Sequence, residues 1–597
     1  MKLCTLDLET EAIIHAPALH PPVPTGLGIA LNENEADYLD LTDPEQRAAA
    51  VAMLKQLASD REMVFLGHNI TGFDLHVIRD HLDNALQGVR PERIYDTRLL
   101  ASIVSPLSPS LALKPLAAEL LGILPEERDA VREWLIENKI VTRIQKDWGA
   151  HISKAPFDLV APYCKTDVSM TRALFKYLGK KTDQSEGAAK TREQLLAPIL
   201  SNMTRRGVRV DEQLLQTWNH NYTLEHERAD HDITLILKAK EDLNIDSNND
   251  LADAIEAAGL TAGWPQTPTG KRKVDKASIE SCVTHPRLKE LLAYRGVLST
   301  YLGTFIRPWI EMSKTYGGRI HPSWDSVRGD FGGTRTGRIS SHDPNLMNVP
   351  KKSALTPPLG FLALPNLRRA LLPEEGHIWV SADFDSQELR GLAHFVGGRL
   401  QQAYIDDPKL DIHTYVVKTI YDTTGKTVTR KAAKTVAFLI LYGGGDNKLA
   451  EGLGCSREEA AEIRRLYYDA LPGVEEFIAD VQLRGQRGKP VRTWGGRRLF
   501  APLDLKTRQP RHYALVNYLI QGSCADLTKS ALTMFAAKCP EVSILTTVYD
   551  EINISVPKES RGRDIVIAEL VEAMTCPRLD VPMTVTVTQG PNWGDQK

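Results

Sequence analysis

Short apolar runs rich in β-branched residues alternate along this chain with longer stretches of helical composition. Residues 63–66, 378–380 and 544–548 are apolar or β-branched, as are residues 3–8 apart from Asp7, and all four runs predict strands. Residues 190–325 predict mostly long helices, for example at 222–240 and 288–312. The pattern therefore predicts an α/β chain with a helical middle section.

The strand predicted at 378–380 leads into two carboxylates, Asp383 and Asp385, and a segment of helical composition follows at 387–394. Negative charge fixed at the end of a buried strand is costly unless a cation compensates it. One interpretation is a site for Mg²⁺, which prefers carboxylate and phosphate oxygens. The other interpretation is a strand that ends in a solvated acidic turn.

Residues 544–556 predict a hairpin with Tyr549, Asp550 and Glu551 at its tip. Two strand ends that each carry an Asp could together hold two metal ions about 3.5–4 Å apart, the arrangement used for in-line phosphoryl transfer. Because an Asp-Glu tip is also common in ordinary hairpins, this interpretation needs a phosphate-binding element as well.

Residues 430–443 supply such an element. Arg430, Lys434, Phe438 and Tyr442 are four apart, so on an α-helix each is rotated by about 40° from the last and together they form one winding stripe. An ordinary amphipathic helix keeps its cations and its aromatic residues on opposite sides. Here cations suited to phosphates share a stripe with aromatic surface suited to a base. The alternative is a solvated charged face.

In this combination the three segments resemble the polymerase motifs of family A DNA polymerases, which include the large fragment of bacterial DNA polymerase I and its phage relatives. The matches are Asp383 with Glu388-Leu389-Arg390, then Arg430-x3-Lys434-x3-Phe438-x3-Tyr442-Gly443, then Asp550-Glu551. Residues 336–346 resemble the family's TGRxSSxxPNL segment, and Asn517-x3-Gln521-Gly522 and Asn592-Trp593 match further landmarks. The motifs also follow the family's order.

The resemblance implies that Asp383 and Asp550 bind two catalytic Mg²⁺ ions, for which Mn²⁺ can substitute. It also implies that Lys434 and Arg430 neutralise the triphosphate of an incoming dNTP. The other residues implied to contact nucleotide or primer–template DNA are Phe438, Tyr442, Glu388, His413, Arg368, Arg338, Gln521, Asn517 and Glu551.

The resemblance also implies which part of the nucleotide several of these residues contact. Phe438 is implied to pack on the sugar and base, Tyr442 near the templating pair, and Glu388 beneath the sugar. His413 belongs to Asp411-x-His413, which resembles a family segment whose His helps to hold the triphosphate. A lone His is otherwise more often structural.

Three positions depart from the family's usual pattern. Asp385 adds a carboxylate after the first catalytic Asp, and its role is unassigned. Tyr549 stands where a His usually precedes the last Asp-Glu, and Met347 stands where a Gln commonly follows PNL. Contacts near the primer end and in the DNA groove are therefore expected to differ from the usual ones.

Several basic segments are candidates for DNA contacts. Arg338 and Arg368 are implied to lie near the primer–template and the nucleotide phosphates. Residues 263–273 combine turn formers with positive charge and predict a clamp on duplex phosphates, with an ordinary basic loop as the alternative. Arg497 and Arg498 predict template contacts or turn charges.

The N-terminal region carries a second set of acidic residues. Asp7 and Glu9 are two apart on a predicted strand and therefore share a face. Asp74 ends the segment Gly67-His68-Asn69-x3-Phe73-Asp74, and Tyr163-x3-Asp167 is an i, i+4 pair on a predicted helix. Taken singly, these are common features of surface strands and ordinary helices.

Together and in order, they resemble the proofreading 3′–5′ exonucleases that use four carboxylates and a tyrosine. Asp7, Glu9, Asp74 and Asp167 match the metal-binding carboxylates, and Tyr163 matches the tyrosine that orients the attacking water. Four carboxylates can hold two divalent ions, which activate water and stabilise the leaving oxygen. Asn69 and Phe73 are expected to shape the strand end, with Phe73 as a core residue the alternative, and His68 is expected to be structural.

The composition of the chain bears on how it could bind nucleic acid and on its cellular location. The formal net charge of −3 provides no global positive field, so nucleic-acid binding must rely on local basic clusters. Seven cysteines without a CxxC pair predict free thiols in a reducing compartment. No signal region and no run of about 18 apolar residues is present in the sequence, which predicts a cytoplasmic protein without a membrane partner.

We therefore expect an RNase H-like 3′–5′ exonuclease domain at 1–180, a linker at 179–187 and a right-hand polymerase. The thumb is expected at 190–325, the palm at 326–392 and 516–597, and the fingers at 393–515. No 5′-nuclease domain is expected, because the exonuclease motif begins at Asp7.

The predicted function is template-directed DNA synthesis with proofreading in replication or repair. The expected substrates are primer–template DNA, dNTPs and single-stranded DNA 3′ ends, with two Mg²⁺ ions at each active site. A DNA-end-binding nuclease with a degenerate polymerase body is opposed by the intact Asp383, Lys434 and Asp550. A single-subunit RNA polymerase is opposed by Glu388 and by the complete exonuclease motif.

Overall fold

The structure is a computed structural model of the 597-residue chain. It describes residues 2–14, 16–123, 126–145, 148–182, 184–240, 242–267, 270–328, 333–351, 355–504, 507–559, 561–575 and 579–597.

The N-terminal part is a five-stranded sheet flanked by helices. Its strands are β1 (Lys2–Thr10), β2 (Pro24–Leu31), β3 (Asp37–Asp40), β4 (Met63–Gly67) and β5 (Ile94–Asp96). Its helices are α1 (Pro44–Ser59), α2 (Asp74–His81), α3 (Thr97–Val104), α4 (Leu113–Leu121), α5 (Glu126–Glu137) and α6 (Phe157–Lys181). The strand order is β3-β2-β1-β4-β5, so β1 is the central strand. This position places Asp7 and Glu9 at the middle of the sheet.

The predicted linker at 179–187 is wrong. Helix α6 ends at Lys181, and helix α7 (Gln184–Arg206) begins almost at once, so Gly179 and Gly187 both lie within helices. Leu196, Leu200 and Met203 of α7 are buried in the same core as the C-terminal sheet described below. Lys180, Lys181, Gln184 and Ser185 are exposed helical positions, whereas Glu186 of α7 is buried.

The middle section is helical, as the composition predicts. It contains β6 (Val208–Val210), α8 (Glu212–Leu237), α9 (Asn248–Ala257), α10 (Lys276–Cys282), α11 (Pro286–Thr300), α12 (Arg307–Thr315), β7 (Arg319–Ile320), β8 (Ser323–Asp325) and β9 (Ser340–His342). A π-helical turn at Tyr301–Ile306 joins α11 to α12. Asp211 and Ser247 cap the first turns of α8 and α9 through their side chains.

The basic loop between α9 and α10 carries cations that are already engaged. Arg272 contacts Asp253 at 2.5 Å and Glu256 at 2.9 Å, both on α9. Lys273 Nζ lies 3.1 Å from an oxygen of Asp275. These ion pairs are solvent-exposed, and the choice between a phosphate clamp and an ordinary loop stays a prediction.

A four-stranded antiparallel sheet forms the floor of the C-terminal part. A short strand, β10 (Leu371–Leu372), precedes it, and its own strands are β11 (His377–Phe384), β14 (Ser543–Val548), β15 (Glu551–Pro557) and β16 (Val585–Gly590). The order is β14-β15-β11-β16. Trp379 of β11 is fully buried and stacks on Trp593 with ring centroids 5.7 Å apart. The stacked pair anchors the C-terminal segment against the central strand.

The chain between β11 and β14 is largely helical. It contains α13 (Gln387–Val396), α14 (Gly398–Asp406), α15 (Ile412–Thr424), α16 (Arg430–Tyr442), α17 (Asp446–Leu453), α18 (Arg457–Ala470), α19 (Val474–Gln486), β12 (Val491–Arg492), β13 (Arg498–Leu499) and α20 (Ala514–Lys538). Helix α21 (Arg561–Thr575) follows the sheet's hairpin. Apolar residues of α13 to α18 and α20 share one core with the sheet.

A buried ion network joins α7 to α20 and to the β12–β13 hairpin. Lys529 Nζ lies 2.6 Å from Glu193 Oε1, and Arg497 contacts both Glu193 and Asp526. Arg192 completes the network through Asp526 at 2.6 Å. The buried position of Arg497 corrects its prediction as a template contact or turn charge.

Arg498 is only partly exposed, because it pairs with the buried Glu186 of α7.

Among the described residues, no helix combines the length and apolarity that crossing a bilayer would require. The α/β multidomain prediction is confirmed.

Two candidate active sites

The first site forms where β11 and β15 meet. Asp383 pairs in register with Glu551, and the N–H of Phe384 donates to the carbonyl oxygen of Asp550 at 3.2 Å. This antiparallel register brings together the two strand ends that the sequence placed far apart. Lys351 Nζ lies 3.7 Å from Asp383 Oδ2 and 3.5 Å from Glu551 Oε2.

Two carboxyl groups of this cluster, Asp383 and Asp550, have raised pKa values. Burial raises the pKa of Asp383 to about 7, with further contributions from Asp550 and Glu551. Burial is also the main cause of the raised pKa of Asp550. Clustered carboxylates of this kind fit a divalent cation, which removes the cost of their mutual repulsion.

Glu551 is held from behind by a tryptophan and an arginine. The indole Nε1 of Trp593 donates to Glu551 Oε1 at 2.7 Å. Arg368 Nη1 lies 3.7 Å from Glu551 Oε2, and its guanidinium stacks 3.8 Å from the Trp593 ring centroid. Arg368 also donates to the carbonyl oxygen of Val349. It is thus a buried partner of Glu551 here, and its predicted proximity to nucleotide phosphates stays a prediction.

A cavity of about 1010 Å³ opens beside these carboxylates. Its lining includes Asp550 and three residues of α16, Arg430, Lys434 and Phe438. Helix α16 begins where the Thr429 side chain caps the N–H of Ala432. The stripe lies outside the core, because Ala432, Ala433, Val436 and Ala437 make up the buried face. Lys434 Nζ lies 5.7 Å from the Phe438 ring centroid.

Asp411 and His413 lie on the same cavity wall. Asp411 caps α15 and accepts a 2.7 Å hydrogen bond from Arg430 Nε. Although burial opposes it, hydrogen bonds from Arg430 and Thr414 lower the pKa of Asp411 to about 2. Burial lowers the pKa of His413, and its Nδ1 is enclosed without a hydrogen-bond partner in the described part of the chain. A neutral imidazole therefore stands next to the cationic stripe.

The remaining predicted residues line a small cleft and the far end of the stripe. Arg338 pairs with Glu388, and its guanidinium lies 5.3 Å from the Tyr549 ring centroid. Gln521 Nε2 donates to the hydroxyl of Tyr442 at 3.2 Å. Asn517 lies one turn earlier on α20, and its Nδ2 is buried without a partner among the described residues.

The unassigned Asp385 also lies in this cavity. It accepts a 2.7 Å hydrogen bond from the Thr586 hydroxyl. Its charge contributes to the raised pKa of Asp383, behind burial and the other carboxylates. Asp385 is therefore part of the acidic wall of the cavity.

The second site forms on β1 of the N-terminal sheet. Asp7 and Glu9 project from β1, and Asp74, at the start of α2, accepts a 3.0 Å hydrogen bond from the N–H of Leu8. Tyr163 and Asp167 lie on α6, which packs against β1 and β2. Three chain segments distant in sequence therefore contribute the predicted residues.

Burial raises the pKa values of the carboxyl groups at this site. It raises the pKa of Glu9 to about 8 and that of Asp74 to about 7. The pKa of Asp7 is also raised, by burial first and then by the charges of Asp167 and Asp74. Bound divalent cations would stabilise the ionised forms.

Sequence reasoning missed two residues of this site. Lys114 Nζ lies 2.8 Å from Asp167 Oδ2 and 3.4 Å from the Tyr163 ring centroid, so it joins the two predicted residues of α6. Lys114 belongs to α4, outside every motif, and no local signal marked it. Cys164 Sγ lies 3.8 Å from Asp7 Oδ2. Its place directly after Tyr163 was the available signal.

The neighbouring residues Asn69, Phe73 and His68 have defined surroundings. Arg98 donates to Asn69 Oδ1 at 2.9 Å, and Phe73 packs against the apolar core of the sheet. The ring nitrogens of His68 lie 2.8 Å from the Thr97 hydroxyl and 3.0 Å from the Leu111 carbonyl oxygen. These contacts agree with a structural role for His68.

Comparison with known proteins gives matches over both parts of the chain. The profile of DNA polymerase family A matches residues 212–595, and a 3′-5′ exonuclease profile matches residues 17–183. The thermostable DNA polymerase I of Thermus filiformis is 31% identical over 416 residues, which are 68% of this chain and 48% of that protein. DNA polymerase I of Treponema pallidum is 26% identical over 575 residues, which are 93% of this chain and 53% of that protein.

A solved structure shares the fold. The POL domain of Pol1 from M. smegmatis, in complex with DNA primer-template and dNTP, superposes with a TM-score of 0.78 at 21% identity, covering 99% of this chain and 96% of that chain. The chain spans about half the length of the curated relatives it matches. The profile match over most of the chain is decisive: the chain belongs to DNA polymerase family A, with a 3′–5′ exonuclease domain ahead of its polymerase domain.

Proposed function

We propose that this chain is a template-directed DNA polymerase that adds dNTPs to a primer 3′ end and proofreads with a 3′–5′ exonuclease. One observation carries the proposal: Asp550 and the stripe residues Arg430 and Lys434 line one cavity, with Asp383 beside Asp550. Carboxylates for metal ions thus stand opposite cations for a triphosphate. The fold neighbour's complex with primer-template and dNTP supports the same substrates.

Asp383 and Asp550 are the residues that would hold two Mg²⁺ ions, since both are carboxylates in a charge-rich cluster. Mn²⁺ is expected to substitute. When bound, such ions activate the primer 3′ oxygen and stabilise the leaving pyrophosphate. Glu551 keeps its bonds to Trp593 and supports the cluster from the sheet side.

The cationic stripe positions the nucleotide. Lys434 and Arg430 neutralise the triphosphate, and His413 contributes a neutral hydrogen-bonding group beside them. Phe438 and Tyr442, which are 44% and 49% exposed, offer aromatic surface to the sugar, the base and the templating pair. Arg430 must exchange its bond with Asp411 for a phosphate oxygen, a swap between two anionic partners.

Groups on α13, α20 and the preceding loop complete the pocket. Glu388, held by Arg338, closes the pocket beneath the sugar. Gln521 and Asn517 of α20 face the DNA, and Gln521 fixes the hydroxyl of Tyr442. Arg368 acts on this region through its charge and through Glu551.

At the second site, Asp7, Glu9, Asp74 and Asp167 are the residues that would hold divalent ions, and Tyr163 would orient the attacking water. When bound, the ions activate that water and stabilise the leaving 3′ oxygen of single-stranded DNA. Lys114 keeps Asp167 and Tyr163 together.

We assign the exonuclease domain to 1–180, the thumb to 190–325, the palm to 326–392 and 516–597, and the fingers to 393–515. The separate N-terminal core supports the exonuclease boundary. The core shared by the C-terminal sheet and its helices supports grouping palm with fingers, and it also includes Leu196, Leu200 and Met203 of α7. We place the activity in the cytoplasm, in replication or repair of DNA.

Primer extension tests the proposed function. A labelled primer–template is incubated with dNTPs or with NTPs, with Mg²⁺ or with chelator. Extension is expected with dNTPs and Mg²⁺ only. Preference for NTPs would instead favour an RNA polymerase, and Mg²⁺-dependent degradation without extension would favour a nuclease with an inactive polymerase body.

A further inference from the structure

One residue at the exonuclease site lies outside the predicted carboxylate set. Cys164 on α6 is fully buried, and its Sγ lies 3.6 Å from the carbonyl oxygen of Asp7 and 3.8 Å from Asp7 Oδ2. Potential ligand atoms of Asp7, Glu9 and Cys164 all lie within 4.8 Å of one another. A thiol and two carboxylates therefore converge on one point.

Close packing fixes the position of this thiol. A Cβ atom added at Gly28 of β2 would lie 2.7 Å from Cys164 Sγ and 2.9 Å from a methyl carbon of Val168. Only glycine therefore leaves room for the sulfur between α6 and the sheet. Buried cysteines usually behave as small hydrophobic residues, but this sulfur faces the carboxylates of β1.

The distance between Cys164 Sγ and Asp7 Oδ2 suits a tetrahedral metal ion. Zn²⁺ binds thiolate sulfur at about 2.3 Å and carboxylate oxygen at about 2.0–2.2 Å, which separates the two ligand atoms by about 3.5 Å. The observed 3.8 Å between Cys164 Sγ and Asp7 Oδ2 differs from this by about 0.3 Å. Three protein ligands would leave the fourth position to water or to a phosphate oxygen, as in catalytic zinc sites.

We propose that Asp7, Glu9 and Cys164 form a thiolate-containing site that binds a thiophilic divalent cation such as Zn²⁺ in preference to Mg²⁺. The inference rests on the proposed exonuclease and names the metal preference of one of its ion positions. Mg²⁺ takes oxygen ligands, whereas a thiolate selects softer ions. On binding, the S–H proton of Cys164 passes to solvent and a bond forms between Sγ and the metal.

Cobalt provides a direct probe, because thiolate ligands give Co²⁺ a sulfur-to-metal charge-transfer absorption. The full chain, freed of metal by a chelator, is titrated with Co²⁺. The charge-transfer band is expected to saturate at one Co²⁺ per chain. Zn²⁺ is expected to abolish the band by displacement, and an equal concentration of Mg²⁺ is expected to leave it.

Cys164→Ser replaces only the sulfur and tests the assignment. The band is expected to disappear, and Co²⁺ affinity to fall more than about tenfold, since loss of a mere outer-shell partner already costs 10–100-fold. Cys164→Ala serves as a second variant, and the thermal midpoint of each shows that it folds. The matched control is Cys455→Ser, which removes a half-buried thiol elsewhere and is expected to retain the band.

A band that survives in both folded Cys164 variants, or that never forms in the unaltered chain, would overturn the inference. Degradation of single-stranded 3′ ends with Mg²⁺ is measured in parallel on the unaltered chain. Degradation without a band refutes the thiolate site and leaves the proposed exonuclease standing. A band that depends on Cys164 without any degradation supports the site and refutes the proposed exonuclease.

Discussion

The guanidinium of Arg338 is ion-paired with the carboxylate of Glu388 at the mouth of a small cleft that Asp550 and Tyr549 also line. Burial raises the pKa of Glu388, and the Arg338 charge opposes that shift. Two residues from segments fifty positions apart thus fix one carboxylate close to the catalytic strand ends. A carboxylate held in this way suits a group that must exclude the additional sugar hydroxyl of a ribonucleotide rather than bind it.

Glu388→Ala is expected to raise ribonucleotide incorporation relative to deoxyribonucleotide incorporation by at least about tenfold, equivalent to about 1.4 kcal/mol in the barrier. A pocket made only of favourable contacts rejects an added hydroxyl poorly, so exclusion needs a clash or a repulsive group. Single-nucleotide insertion with NTP and dNTP measures the ratio. Glu388→Gln, which keeps the volume, is the control for charge. An unchanged ratio of NTP to dNTP insertion in an active Glu388→Ala variant would contradict the assignment of Glu388 as the group that excludes ribonucleotides.

Phe438→Tyr is expected to reduce discrimination against dideoxynucleotides. Phe438 lies one turn beyond Lys434, roughly 6 Å further along the helix, which suits contact near the sugar 3′ position. A tyrosine at this position would offer a hydroxyl in place of the 3′ hydroxyl that a dideoxynucleotide lacks. A net hydrogen bond of about 0.5–1.5 kcal/mol gives up to about a tenfold change.

The measurement is the ddNTP-to-dNTP incorporation ratio for both forms, made with Asp7→Ala and Glu9→Ala present to silence the exonuclease. Equal ratios would identify Phe438 as an ordinary exposed helix residue.

The carboxyl clusters predict a pH-dependent effect of Mg²⁺ on stability. Glu9 and Asp383 have folded pKa values of about 8 and about 7, above their unfolded values of 4.5 and 3.8. At these two groups the metal-free folded chain therefore binds more protons than the unfolded chain between about pH 4 and pH 8, and the stability that they contribute falls as pH rises through that window. Mg²⁺ binding to the ionised carboxylates reverses this loss.

The rise in thermal midpoint on adding saturating Mg²⁺ is accordingly expected to be larger at pH 8 than at pH 6. Differential scanning fluorimetry measures it. Glu9→Gln and Asp383→Asn, which cannot ionise, should each shrink the difference between the two pH values. Equal rises at both pH values would contradict the assignment of these groups as metal ligands.

Glu193→Gln is expected to destabilise the chain by about 3–5 kcal/mol, because it leaves Lys529 and Arg497 as buried cations without their shared anion. The control is Asp60→Asn, which removes the partner of Lys2 in a solvent-accessible ion pair and should destabilise the chain far less. Denaturant unfolding of the two variants provides the comparison. A loss as small as that of the control would show that the network adds little.

Much of both sites could be predicted because their chemistry is encoded locally. Asp383 and Asp550 each follow a recognisable apolar run. The four-residue spacing of Arg430, Lys434, Phe438 and Tyr442 predicts directly that they form a stripe on one helix. The linker prediction failed because polar composition does not distinguish a loop from an exposed helix end.

Other residues could not be placed from the sequence for a different physical reason. Arg368, Arg497 and Lys114 owe their positions to tertiary pairing with carboxylates from distant segments. An isolated basic residue gives no sign of whether it faces DNA or a buried acid. Only the tertiary structure decides whether such a residue faces DNA or pairs with a buried acid.

The most direct measurement of the two-site proposal uses a primer–template with a mismatched 3′ end and compares two variants. Asp7→Ala with Glu9→Ala should abolish 3′-end degradation while matched primers are still extended, because these residues lie on β1, in a different sheet from β11 and β15. Asp550→Ala should stop extension while single-stranded ends are still degraded. Parallel loss of both activities in either folded variant would contradict two independent active sites.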